Sequence, residues 1–281
     1  MGPRTTLAAS AAVAALAALA TGCADDFGPA TNHAKDSATV TGAAPVVDIH
    51  NGSGSVRIVA GAGPVKVHRT MDYHHTRPGP IPRTAGSDGT LRLAADCDGC
   101  KIGYELTVPP ATQVRVHGGS GRVDVSGVAQ VRYDGGSGTV GVTRVTGPVQ
   151  VRTGSGSVDV SHVGAAVTIR AASGDIGLAD VGGAVVAVTS HGDLHASGLR
   201  APSVEGRIGS GSLKLDFATA PQRVTAQSGS GNIEIRLPSQ GYRIEAAAGS
   251  GSVHRRVPDS PAATALISAH SGSGDIDIDG R

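Results

Sequence analysis

Val114-Arg115-Val116-His117-Gly118-Gly119-Ser120-Gly121-Arg122-Val123-Asp124-Val125 carries the pattern that decides the fold. Aliphatic and polar residues alternate on both sides of a Gly-Ser-Gly corner, and a period of two is that of a half-buried strand. The arrangement recurs. With Gly121 as anchor, equivalent glycines stand at Gly54, Gly138, Gly156, Gly174, Gly192, Gly211, Gly231, Gly251 and Gly274. From Gly121 onward the intervals are 17, 18, 18, 18, 19, 20, 20 and 23 residues. Seven positions before the anchor stands Val or Ile in all ten units, from Val47 and Val114 to Ile267. Two positions after it the residue is always aliphatic, from Val56 and Val123 to Ile276. Ser precedes the anchor in nine units, with His191 as the exception.

Each unit therefore predicts a short strand, a tight corner, a second short strand and a turn. Gly at the corner supplies a positive φ and lets successive backbones approach closely, and the Ser hydroxyls are expected to bond along a ladder of corners. Ten hairpins in one open sheet would leave an apolar face uncovered, because no segment reads as a covering helix. The fold class expected is all-β, a β-solenoid of rungs about 18–20 residues long, with successive rungs stacked about 4.8 Å apart. Composition agrees. The chain has 42 Gly in 281 residues but only four Tyr, two Phe and no Trp, so its core must be built from Val, Ile, Leu and Ala.

The N-terminus has Arg4, an apolar run from Leu7 to Ala20, then Thr21-Gly22-Cys23. This reads as a secretory signal peptide over 1–22, too short for a spanning helix. Ala20-Thr21-Gly22-Cys23 resembles the bacterial lipobox, in which cleavage precedes the Cys and its thiol takes a diacylglyceryl lipid. Cys23 is therefore the expected lipidation site, with palmitate among its chains, and the plainer alternative is an ordinary signal peptide with an incidental Cys. The expected location is the extracytoplasmic face of the cell membrane, anchored through that lipid. Residues 23–44 lack an apolar period and are expected to be a flexible tether; 45–281 is expected to be the solenoid.

With Cys23 acylated, Cys97 and Cys100 remain. A small structural disulfide in the turn Asp96-Cys97-Asp98-Gly99-Cys100 is the favoured reading. Zinc would need two further ligands, and thiol exchange a helix N-terminus after a strand. The 67 residues between Gly54 and Gly121 interrupt the array, so 64–110 is expected to be an irregular N-terminal portion. At the other end, Asp275-Ile276-Asp277-Ile278-Asp279 is expected to close the stack, its carboxylates opposing aggregation at an open edge.

The lipobox, Glu105-Leu106-Thr107-Val108-Pro109-Pro110 followed by Val114-Arg115-Val116 and Gly119-Ser120-Gly121, and the repeated Gly-Ser-Gly-x-aliphatic-x-aliphatic motif together resemble a bacterial family of β-strand-repeat envelope lipoproteins labelled "putative adhesin", largely of unknown function. The resemblance spans about residues 45–281. It implies a right-handed parallel β-helix-like solenoid outside the cytoplasmic membrane, with no catalytic residues to carry over.

Chemistry is sparse in the rest of the chain. With 24 basic and 23 acidic residues, no strong field exists to attract nucleic acid, and no nucleic-acid partner is expected. Gly118-Gly119-Ser120-Gly121-Arg122-Val123 departs from the calcium nonapeptide, because Val123 stands where that motif needs Asp. No G-x-S-x-G elbow, H-E-x-x-H or P-loop occurs, so no catalytic residue and no cofactor is expected. His74-His75 and the spaced His191 and His195 are read as solvated, and no metal site is expected. The outward row three residues after each anchor runs through Lys214, Glu234, His254 and Asp277 with alternating sign, which reads as a solvated face. The leading function is a lipid-anchored adhesin or binding scaffold for a cell-wall polymer or an envelope protein. The alternatives are a structural or signalling envelope accessory and a carbohydrate-active β-helix enzyme.

Overall fold

In Val149–Ser155, Val149, Val151 and Thr153 are buried while Gln150 and Arg152 face out. The alternation read from the sequence thus holds residue by residue. The strand pairs in parallel with Gln130–Ser137 on one side and Val167–Ser173 on the other, in the register set by the anchors: Val149 lies beside Val131 and Val167. The computed structural model describes residues 31–94 and 99–281. Cys23, Cys97 and the expected signal segment lie outside the described residues. All secondary structure described here is β, and no helix among the described residues is long and apolar enough to cross a membrane.

The strands before the corners form an eleven-stranded sheet and those after them belong to a thirteen-stranded one. Their inward side chains make one continuous core of Val, Ile, Leu and Ala with few rings. This is the β-solenoid expected from the repeats. At the corners from Gly138 onward the ladder is carried by the main chain; the Ser53 hydroxyl, at the first corner, does bond across to the neighbouring rung. The N–H of Gly156 donates to the carbonyl of Ser173 at 3.2 Å, that of Gly174 to His191 at 2.8 Å, and that of Gly211 to Ser230 at 3.1 Å. His191 therefore serves as well as Ser, since only its carbonyl is used. A second ladder runs one residue later. Asp175 accepts the Asp193 N–H at 2.9 Å, Asp193 accepts that of Ser212 at 2.7 Å, and Asp275 that of Ser252 at 2.8 Å.

Three expectations are corrected. The tether expected over 23–44 contains the strand Asn32–Thr39, which pairs antiparallel with Lys66–Tyr73. What fixes it is the carboxylate of Asp36 on the buried guanidinium of Arg69. The portion 64–110 also joins the sheets. Thr90–Ala94 lies outside Val46–Ser53, and Lys101–Val108 outside Val56–Ala60, so this stretch forms a rung beyond the first Gly-Ser-Gly corner. Asn51 binds the two together, its side-chain amide donating to the carbonyl of Ile102 at 3.0 Å.

The third correction concerns the C-terminus. Ile276–Gly280 is not at an edge: it lies between Ile233–Leu237 and Val253–Arg256. Leu266–Ser273 likewise enters between Arg223–Ser230 and Arg243–Ser250. The last rung in sequence is the penultimate rung in space, and Asp277 and Asp279 face the Arg256 guanidinium at 3.9 and 2.7 Å instead of open solvent. Ile276 and Ile278 are fully buried and fit a two-sided position, whereas His254, Arg255 and Arg256 in the edge strand are exposed. Charged residues suit an edge, where they oppose pairing with a further strand.

Candidate functional site

Outward positions on the two sheets differ in how their charges are matched. On the thirteen-stranded sheet, Lys214 contacts Glu234 at 2.6 Å, Arg236 contacts the same carboxylate at 2.6 Å, and Arg122 contacts Asp124 at 2.7 Å. The insertion changes the row read from the sequence: Glu234 lies beside Asp277, and Asp277 beside His254. Charges on this face still neutralise one another locally.

On the eleven-stranded sheet, Arg115 lies directly beside Arg132, and Arg152 directly beside Arg170. All four are exposed, on four consecutive rungs. Among the described residues they make no ion pair and no side-chain hydrogen bond. Each pair has an acid next to it in register, Asp48 beside Arg115 and Asp134 beside Arg152. Like charges placed side by side on neighbouring strands cost free energy.

The same face carries a second grouping, toward the N-terminal rungs. Asp48 and His50 project outward from Val46–Ser53, and His117 projects from the adjacent strand at the register position of His50. The two imidazoles stack with centroids 4.4 Å apart and planes at 23°. Their Nε2 atoms lie 3.4 Å (His50) and 3.8 Å (His117) from Oδ1 of Asp48. That oxygen is buried and makes no hydrogen bond. Asp48, His117, Arg115 and Arg132 line one recess.

The histidines singled out in the sequence are not the ones brought together. His74 and His75 sit after the strand Lys66–Tyr73, and His191 and His195 stand on opposite sides of a corner. Asp48, His50 and His117, none of them singled out in the sequence, form a group among the described residues whose ligand atoms lie close enough to hold a metal ion. A signal for it existed: His50 and His117 each stand four residues before their anchors. Cys100 is disulfide-bonded, its carbonyl accepting the Ser53 hydroxyl at 2.9 Å.

A search of curated proteins finds no match to the chain. One solved structure, described as a "putative cell adhesion protein" from Clostridium sporogenes, aligns over 90% of this chain and all of that one, at 11% identity and a TM-score of 0.29. Residues 99–279 match the family described as Toastrack DUF4097. That span takes in the strand Lys101–Val108 and every corner from Gly121 to Gly274, and the chain belongs to the Toastrack DUF4097 family.

Proposed function

We propose that this chain is an adhesin-like binding scaffold, held to the outer face of the cell membrane by lipid on Cys23 and contacting an anionic cell-wall polymer through its eleven-stranded sheet. The observation that supports this most directly is the run Arg115, Arg132, Arg152 and Arg170, exposed and unpaired on consecutive rungs. Arg forks bind phosphate and carboxylate groups bidentately. Rungs about 4.8 Å apart present such forks to a polymer as many weak contacts, which sum through effective concentration. Binding, not catalysis, is the activity proposed, and no cofactor enters it.

Co-sedimentation with isolated cell-wall sacculi tests the polymer contact. Retention should fall as salt rises, and the R115S/R132S/R152S/R170S variant should bind about tenfold more weakly, whereas K214S/R236S on the opposite sheet should bind normally. Equal retention of the two variants removes the proposal. Incorporation of radiolabelled lipid, lost in C23A, tests the anchor separately.

A further inference from the structure

We infer that Asp48, His50 and His117 form a binding site for a divalent first-row transition-metal ion of the zinc class. Three observations converge on it. The ligand atoms, two imidazole Nε2 and one carboxylate oxygen, lie within 4.8 Å of one another. A tetrahedral zinc with bonds of about 2.0–2.2 Å holds its ligands roughly 3.3–3.6 Å apart, and the Oδ1 to Nε2 separations of 3.4 and 3.8 Å approach that spacing. The Asp48 Oδ1 is a buried acceptor with no donor. Such an atom calls for an ion or a water, because an unpaired buried carboxylate oxygen forfeits its hydration for nothing.

The scaffold suits the role. His50 and His117 occupy equivalent positions on adjacent parallel strands, so backbone pairing fixes the separation of their Cα atoms. Asp48 precedes His50 by two residues on the same strand, which keeps both on the outward face. Arg92 and Arg115 flank Asp48 in register. Their charge opposes hard cations held by electrostatics alone, such as calcium or magnesium, and leaves an ion held by coordination to imidazole as the favoured occupant. Two imidazoles and one carboxylate leave the fourth position open to water or to an anionic group brought by a partner. The site does not depend on the polymer contact proposed above, since none of its ligands is among the four arginines.

The test uses the full chain without a histidine tag, stripped with a chelator and titrated with zinc chloride by calorimetry. One ion should bind per chain with micromolar or tighter affinity. H50Q, H117Q and D48N should each weaken it by about tenfold or more, at least the loss caused elsewhere by removing an outer-shell partner. H74Q/H75Q should bind as the parent does, and magnesium should not compete. In histidine NMR spectra of the parent, the ring signals of His50 and His117 should shift together on adding zinc, which reads the site without any variant. Absence of saturable binding below about 100 μM, an affinity of only some 5 kcal/mol, overturns the inference. So does unchanged affinity in the H50Q/H117Q variant, or zinc shifts confined to other histidines.

Discussion

Arg69 and Asp36 meet through two hydrogen bonds, Nε to Oδ1 at 3.0 Å and Nη2 to Oδ2 at 2.6 Å, with the Arg69 side chain only 3% exposed. Nη2 also donates to the Gly79 carbonyl at 2.6 Å. One guanidinium thus joins Asn32–Thr39, Lys66–Tyr73 and the loop at Gly79. Burial works against the charge on Arg69, and the Asp36 carboxylate overrides it, so the guanidinium pKa stays above its ordinary value.

Removing Asp36 leaves that cation buried without its partner. Asp36→Ala should destabilise the fold by about 3 kcal/mol, in the range for breaking a buried pair, as read from urea unfolding. A change within 0.5 kcal/mol, the usual effect of a surface substitution, would show that residues 32–39 are a loose tether after all.

The order of the last rungs makes a quantitative contrast. Ile278→Ala removes a fully buried side chain flanked on both sides, and should cost about 2–5 kcal/mol. Val253→Ala, in the edge strand and incompletely buried, should cost less than about 1.5 kcal/mol. Denaturant midpoints that rank the two the other way would put the C-terminal strand back at the edge.

Tyr133 is one of the few rings in the core, with Tyr104, Phe217 and Tyr242, and it fits because Gly118 and Gly135 stand beside it. A Cβ at Gly135 would overlap the phenol. Gly135→Ala should therefore destabilise by about 1–3 kcal/mol. In a double-mutant cycle, Tyr133→Val should recover much of that loss; simple additivity would mean the ring is not what excludes the methyl group.

Burial pushes the phenols of Tyr133 and Tyr242 up, with Asp134 adding to the effect at Tyr133. A group whose pKa is raised on folding binds its proton more tightly in the native state. Its contribution is complete below the unfolded value of about 10 and is lost as pH climbs through the folded value. Stability should thus decline above about pH 10, and the decline should shrink in the Y133F/Y242F protein. Phenolate absorbance rising at the same pH in native and urea-unfolded protein would contradict this.

The fold was legible because its signal repeats. An inward Val seven residues before Gly121 proves little alone, but ten aligned positions leave a single period to satisfy. What repetition could not convey was which rung neighbours which. Gly231, Gly251 and Gly274 carry the same corner, so any of them fits against any other. Their order is decided by side chains such as His254, Arg255 and Arg256, which tolerate an edge better than Ile276 and Ile278 do. The metal-ligating group was hidden for a related reason. His50 and His117 are 67 residues apart, and the interrupted array disguised them as distant when their strands are adjacent. Asn32–Thr39 went unseen because only Ala38 is buried along it, and its anchor, Asp36 to Arg69, is a long-range ion pair with no local pattern.

The C-terminal insertion has a consequence for synthesis. A stack of rungs can ordinarily grow as the chain leaves the ribosome, each unit settling on the one before. Here Arg243–Ser250 emerges first, yet its one partner strand among the described residues is Leu266–Ser273, which emerges later. Vectorial growth therefore halts at the Gly231 rung, and the two rungs beyond it assemble only once Leu266–Ser273 and Ile276–Gly280 have emerged. Topology thus makes one rung wait for the next: a chain cut short after Arg256 has no native seat for the rung it has already produced.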